Sequence, residues 1–448
     1  MRKIALILLN FFVIANTYSS GDTPKKLSLN DELKNNIIKR DGEILFSIAL
    51  GKNKLYKISV LQIKIDLVVQ LLDSTKKVIK EVDSPNGPNG PEEFDETASY
   101  SGNYYILVKG FDDPENTPEG NFNILVTEYT PEQIEFIKKE KLRKETAVQN
   151  SKAIETVDVY NFWKAFDLLK KATSLEDTLT ILKTNYFDKA SGGLVEAIDL
   201  LKLTPKYYAT LIASKPKYFN SIRKNSEGVA NYTTSISELN AIYKQLYKNF
   251  IPYKVAFIVG PLGGADVFTS KHFVIVNCET VCHTNNVDVS ELSANLKEFI
   301  VRENDPLQQI IERVGHEATH FQQRGIKYNE DKKCPLLNGV IVESICDYMA
   351  TRVTKKPVVL RKDAYDYYDK NETQVWENFK KDMCNPNPGK WLFNPPSNGL
   401  PGNLGFAVGV KIVTAYYNKA KDKQQAIVEI MEMTNPTDFL EKSGYLTH

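Results

Sequence analysis

The chain has 448 residues, with 57 Lys plus Arg against 56 Asp plus Glu, a net charge of +1 and 42% hydrophobic residues. That apolar content excludes wholesale disorder, and the length corresponds to roughly two to four domains. The balanced charge excludes a nucleic-acid binder that depends on an overall basic surface. With only five histidines, any clustering among them is informative.

Residues 1–20 read as a secretory signal. Arg2 and Lys3 precede an apolar run from Ile4 to Ala15, broken only by Asn10, and the small residues Ser19, Ser20 and Gly21 follow. The run is shorter than the about 20 residues a membrane span needs. No cysteine lies near the cleavage point, which argues against a lipid anchor, and no later segment reads as a transmembrane span. The mature chain is therefore expected to be exported, periplasmic or secreted.

Residues 21–130 read as an all-β domain. Glu43–Leu50, Leu55–Val60, Asp66–Leu72, Lys77–Val82, Tyr104–Lys109 and Phe122–Glu128 are short β-branched or aromatic runs. The turn-rich stretches Asp83–Pro91 and Asp112–Gly120 separate some of them. Such spacing suggests a β-sandwich. The strand Asp66-Leu-Val-Val-Gln-Leu-Leu-Asp73, the stretch Glu81-Val-Asp-Ser-Pro-Asn-Gly87 and Ser101-Gly-Asn-Tyr-Tyr-Ile-Leu-Val108 resemble the pre-peptidase C-terminal domain, a β-sandwich appended to secreted bacterial peptidases. The resemblance implies an accessory module. Its acidic loops are candidates for Ca2+, though Asp and Gly are also plain turn formers.

Residues 131–156 form a charged helical linker by composition, and 157–448 read as the second, mainly helical domain. Phe162, Phe166, Leu168 and Leu169 give one amphipathic stripe, and Ile236, Leu239, Ile242, Tyr243 and Leu246 another. Phe257–Gly260 and Phe273–Asn277 read as strands, with Pro261–Asp266 as a loop between them. The five cysteines, at 278, 282, 334, 346 and 384, cannot all pair within one chain. Cys278 and Cys282 could close a small loop, or join His283 at a metal.

The chemistry concentrates in His316-Glu317-Ala318-Thr319-His320. Histidines at i and i+4 share a helix face and can reach one metal ion, and the glutamate between them can take a proton from water at that ion. Pro306 suits a first helical position, Asp305 an N-cap with Gln308 completing a capping box, and Gly325 a stop. Leu307, Ile310, Ile311, Val314, Ala318 and Phe321 make an apolar stripe, and the histidines project roughly opposite it. The bland alternative is a polar helix face that happens to hold two histidines.

A catalytic zinc takes three protein ligands. No histidine follows His320 until His448, so a carboxylate is the better third ligand. Leu336–Ala350 reads as a second helix, with Glu343 inside an apolar run where an unpaired charge would be costly. Asp347, one turn on, can accept the other N–H of a ligand histidine. The bland alternative is a helix with one exposed polar edge.

The segment His316-Glu-Ala-Thr-His-Phe-Gln-Gln323, then Leu336-Leu337 through Glu343-x-x-x-Asp347-Tyr-Met-Ala350, resembles a bacterial domain-of-unknown-function family of predicted zinc-dependent proteases, gluzincin-like in type. The likeness continues through Trp376-Glu-Asn-Phe379, Trp391-Leu-Phe393, Gly405–Tyr417 and Phe439–Tyr445, roughly over residues 250–448. It implies His316, His320 and Glu343 as zinc ligands, Glu317 as general base and Asp347 as the group orienting a ligand. Where the family pattern carries Gly-Tyr, this chain has Gly405-Phe406, which lacks a hydroxyl for an oxyanion. Tyr416, Tyr417, Lys411 and His272 are candidates for that role, each also explicable as core or surface.

The fold class expected is therefore multidomain: an N-terminal all-β sandwich followed by a mainly α (α+β), gluzincin-like zinc metallopeptidase domain. The function expected is zinc-dependent peptide-bond hydrolysis, with Phe273–Asn277 aligning an extended peptide or protein substrate by strand addition. The alternatives are a binding protein with a vestigial metal site and a metal-dependent hydrolase of a non-peptide amide.

Overall fold

The computed structural model describes residues 23–83, 89–111, 117–262, 265–294, 296–297, 306–328, 330–356 and 361–445. The expected signal at 1–20, Asp305, His448 and the centres of both acidic loops lie outside them. The chain divides into two compact units, Met1–Leu142 and Arg143–His448.

The first unit is a β-sandwich. Its strands are β1 (Lys25–Lys26), β2 (Leu33–Lys39), β3 (Glu43–Leu50), β4 (Leu55–Ile63), β5 (Leu67–Leu72), β6 (Val78–Val82), β7 (Asn89–Thr97), β8 (Gly102–Gly110) and β9 (Glu119–Glu128). They form one sheet in the order β1-β3-β8-β5-β6 and another in the order β2-β9-β4-β7. Alternation decides which side chains go inward. Tyr56, Ile58 and Val60 of β4 and Tyr104, Ile106 and Val108 of β8 enter one core. Phe46 of one sheet meets Phe122 of the other edge to face at 6.0 Å.

β1, β2 and β7 are additional to the strands expected from the sequence. β7 begins at Asn89, inside the stretch read as a loop through Pro91. Pro91 lacks an N–H, and the strand tolerates it because β7 is an edge strand. α1 (Pro131–Asn150) is the expected charged helix and buries none of its residues.

The second unit joins a small sheet to helices. β10 (Ile154–Glu155), at the end of the expected linker, is followed by α2 (Val157–Leu169), α3 (Leu175–Asn185), α4 (Gly192–Leu201), α5 (Pro205–Ser214), α6 (Pro216–Glu227) and α7 (Thr233–Leu246). Then come β11 (Lys254–Ile258), β12 (Val267–Thr269), β13 (Phe273–Asn277) and the short α8 (Cys278–Val281). α9 (Pro306–Gln322), α10 (Pro335–Thr354), α11 (Lys362–Asp382), α12 (Leu404–Lys419), α13 (Lys423–Met431) and α14 (Pro436–Ser443) complete it.

The sheet order is β10-β11-β13-β12, with β12 antiparallel to β13 and the other pairs parallel. This corrects the expectation for Phe273–Asn277. β13 is hydrogen-bonded on both sides, to β11 and β12, so its backbone groups are already used. Among the described residues the edge strands are β10 and β12, and β12, between β11 and β13 in sequence, packs against α9.

A disulfide joins Cys334 to Cys384, while Cys278, Cys282 and Cys346 are free and buried. The small loop considered for Cys278 and Cys282 is therefore not closed. The bridge that does form fixes the start of α10 to the chain just after α11. Leu337 N donates to Met383 O at 2.8 Å in the same place. Among the described residues, no helix is long and apolar enough to cross a membrane.

Candidate metal centre

Two packed helices carry the centre. α9 is not the two-faced helix its apolar stripe suggested. Gln309, Glu312, Arg313, His316, Thr319 and Gln322 are buried alongside Ile310, Val314 and Ala318. Polar side chains survive there because they are paired. Tyr243 on α7 donates to Thr319 Oγ1 at 3.0 Å, Gln322 bridges the backbone of Ile251, and Arg313 pairs with Asp266 beside β12. α10 is buried on every side from Leu336 to Ala350 and runs through the core. At its crossing with α12, a Cβ on Gly409 would lie 2.2 Å from Ser344 Oγ, so only glycine lets the helices approach this closely.

Within that core three groups converge. His316 and Glu343 are 8% and 7% exposed. Glu343 Oε2 lies 3.5 Å from His316 Nε2 and 3.6 Å from His320 Nε2. Ligands bound at 2.0–2.2 Å to a tetrahedral zinc stand about 3.4 Å apart, and two His with one carboxylate is a catalytic zinc donor set. Glu343 Oε2 thus stands near that separation from each Nε2, and the three residue types match that donor set.

Among the described residues, the group whose ligand atoms all lie within 4.8 Å of one another is His316, His320 and Cys346, without Glu343. The Cys346 sulfur, however, faces His320 Nδ1 at 3.4 Å, the ring nitrogen turned away from Glu343. Glu343 Oε2 instead faces the Nε2 atom of each histidine. Cys278, Cys282 and His283 do not bring three ligand atoms within that distance.

The remaining nitrogens are held as zinc-bound imidazoles require. His316 Nδ1 donates to Asp347 Oδ1 at 2.7 Å, and Asp347, 1% exposed, accepts from Arg361 Nη1 at 2.8 and 3.0 Å and from the Tyr365 hydroxyl at 2.7 Å. His320 Nδ1 donates to Gln323 Oε1 at 3.0 Å, and Gln323 Nε2 is itself fixed to Val342 O at 2.9 Å. Arg361 also lies over the Phe406 ring, 3.7 Å from its centroid, and Phe406 stands 6.4 Å from the His316 ring. Phe406, where a tyrosine was expected, is thus a buried platform for the arginine that holds Asp347.

The electrostatics follow from burial and pairing. Burial opposes the His316 imidazolium, but Asp347 and Glu343 outweigh it and hold the ring up to about 10. Glu343 is pushed well below the usual carboxylate range: burial works against its charge, and the two histidines more than offset that. Glu317 moves the other way, raised by burial in spite of its histidine neighbours.

The side groups proposed for an oxyanion are engaged elsewhere. Tyr416 donates to Glu429 Oε2 at 2.7 Å and stacks on Phe439. Tyr417 lies against Arg352 and Tyr348. His272 Nδ1 pairs with Glu196 at 2.5 Å, and Lys411 pairs with Asp369 at 2.6 Å. Packing and ion pairing account for all four. Gln323, Arg361 and Tyr365 were not singled out by the sequence reading. Gln323 stands in the stretch read with the histidines, whereas Arg361 and Tyr365 carry no spacing signal that ties them to Asp347.

No curated protein matches the chain. Among solved structures, the pre-peptidase C-terminal domain of a Bacillus anthracis collagenase is similar over 24% of this chain and 99% of its own, with 20% identity and a TM-score of 0.20. The Aeromonas hydrophila periplasmic inhibitor of g-type lysozyme, PliG, matches 24% of this chain and 96% of its own, with 11% identity and a TM-score of 0.20. The IMPa metallopeptidase from Pseudomonas aeruginosa matches 91% of this chain and 43% of its own, with 11% identity and a TM-score of 0.20. A family model described as gliding motility protein GldB matches residues 141–447, a span that includes the whole constellation from His316 to Tyr365, and the chain belongs to that family.

Proposed function

We propose that the chain is an exported, gluzincin-like zinc metallopeptidase in which Glu317 is the general base. The observation that carries this reading is the position of Glu343 Oε2, 3.5 and 3.6 Å from the two Nε2 atoms of an H-E-x-x-H helix. A zinc ion held by His316, His320 and Glu343 would polarise the scissile carbonyl and make a nearby water acidic enough to lose a proton near neutral pH.

The chain's own groups do the rest. Glu317, its pKa raised by burial, takes the proton from water and returns it to the leaving amine. Asp347 and Gln323 keep both imidazoles turned with Nε2 inward. β12, an edge strand among the described residues, would offer backbone groups to an extended peptide beside α9. Glu343→Ala tests the reading: wild type should bind one zinc per chain by elemental analysis and the variant should lose it. Full zinc retention in Glu343→Ala would refute this ligand set.

The family's description, a gliding motility protein, favours a second reading, a non-catalytic envelope component that keeps the metal site. Under that reading zinc binds but no peptide is cleaved.

A further inference from the structure

Peptide hydrolysis needs a donor for the carbonyl oxygen as it becomes anionic, and the candidates at 272, 411, 416 and 417 are engaged elsewhere. We infer that Tyr328 supplies that hydrogen bond and that Gly339 is a glycine because it must admit the Tyr328 ring. The inference rests on the metallopeptidase reading above.

Tyr328 lies in the segment between α9 and α10, half-buried. Asn338 Nδ2 donates to the carbonyl of the preceding residue, Lys327, at 2.7 Å, which ties the segment to α10. The ring lies over Gly339, where a Cβ would meet Tyr328 Cε2 at 2.9 Å. Gly339 and Glu343 are four residues apart, so they share a face of α10.

The phenol therefore stands on the side of the helix that presents Glu343, and its electrostatics agree. Burial, and then the charge of Glu343, push Tyr328 up to about 12, which keeps it a protonated donor. Among the described residues its hydroxyl has no hydrogen-bond partner, unlike that of Tyr416 or Tyr365.

Phe393 closes the other side. Its ring is 6.1 Å from Tyr328 and 5.8 Å from Phe406. It is 43% exposed and sits at φ 54°, a left-handed conformation that a bulky residue adopts only under constraint from its surroundings.

The step balances without a further reactant. Water's oxygen bonds to the carbonyl carbon as Glu317 removes its proton, and the C=O π pair moves onto oxygen, where Tyr328 donates. When that pair returns, the C–N bond breaks and nitrogen takes the proton from Glu317. Tyr328 keeps its own proton throughout.

The test uses the full mature chain loaded with zinc and a library of internally quenched fluorescent peptides. On a cleaved peptide, Tyr328→Phe should lower kcat on the order of 100-fold with KM changed less than threefold and zinc content intact. Affinity for a phosphinic peptide, measured by calorimetry, should fall by a similar factor. Gly339→Ala, which keeps the phenol but crowds its ring, should lower kcat in the same direction. Wild-type kcat and phosphinate affinity in Tyr328→Phe would overturn the inference alone. A wild-type chain that binds zinc and cleaves no peptide would overturn the metallopeptidase reading and this inference with it.

Discussion

Asp347 Oδ1 accepts from His316 Nδ1 at 2.7 Å while the same carboxylate takes two contacts from Arg361 and one from Tyr365. A buried aspartate with this many donors stays charged. It is held below the usual carboxylate range, with Arg361 the main group overcoming its burial. It fixes the tautomer that leaves His316 Nε2 free for a metal.

The consequence is measurable. Asp347→Asn should weaken zinc binding 10- to 100-fold, the usual cost of losing such a partner, as read by chelator competition. Unchanged zinc affinity would reduce Asp347 to a packing role.

The disulfide closes a loop of 50 residues between Cys334, at the start of α10, and Cys384. A loop of that length is worth roughly 4 kcal/mol in the chain-entropy treatment. Cys384→Ser should lower unfolding stability by about 2–4 kcal/mol in urea titrations. Because α10 carries Glu343, zinc affinity should fall with it. Equal stability with and without a reducing agent would contradict this role.

Asp158 gives a stability that depends on pH. It is buried, accepts from Ser191 N at 2.9 Å and bonds to the Ser191 hydroxyl, and burial raises it to about 7 from 3.8. A raised carboxyl binds its proton more tightly folded than unfolded. Its contribution is therefore complete below about pH 4 and is lost as pH rises through about 7, by roughly 4 kcal/mol. Asparagine mimics the protonated acid, so Asp158→Asn should flatten the decline in stability between about pH 4 and 7. An unaltered slope in the variant would show that Asp158 is ionised in the fold.

The strand edge makes a prediction about substrate. If a peptide pairs with β12, N-methylation of alternate substrate amides should raise KM about tenfold, on the scale of one lost hydrogen bond. Methylation of the intervening amides should be tolerated. Uniform tolerance along the peptide would exclude strand addition.

Much of this was legible in the sequence because local pattern determined it. Glu43–Leu50 and Phe273–Asn277 appear with the bounds their β-branched runs suggested. The histidine spacing fixed a shared helix face before any packing was known. A carboxylate in the apolar run of α10 pointed to Glu343 because an isolated charge there would be costly.

What stayed hidden depends on contacts far apart in the chain. β7 was concealed by Asn89-Gly90-Pro91, whose turn composition an edge strand can absorb. That β13 is interior follows from its pairing with both β11 and β12, not from its own residues. Arg361 and Tyr365 reach Asp347 across 14 and 18 residues. Cys334 and Cys384 were indistinguishable from the other cysteines until the start of α10 and the chain after α11 were seen together.

Hydrolysis by the Glu317→Gln variant is the most direct test of the proposed chemistry. Glutamine keeps the size of the side chain and leaves His316, His320 and Glu343 in place. The zinc-loaded wild type should cleave a fluorogenic peptide, and Glu317→Gln should retain one zinc per chain with kcat lowered on the order of 100-fold or more. A variant that keeps its zinc and cleaves at the wild-type rate would contradict the assignment of Glu317 as the base.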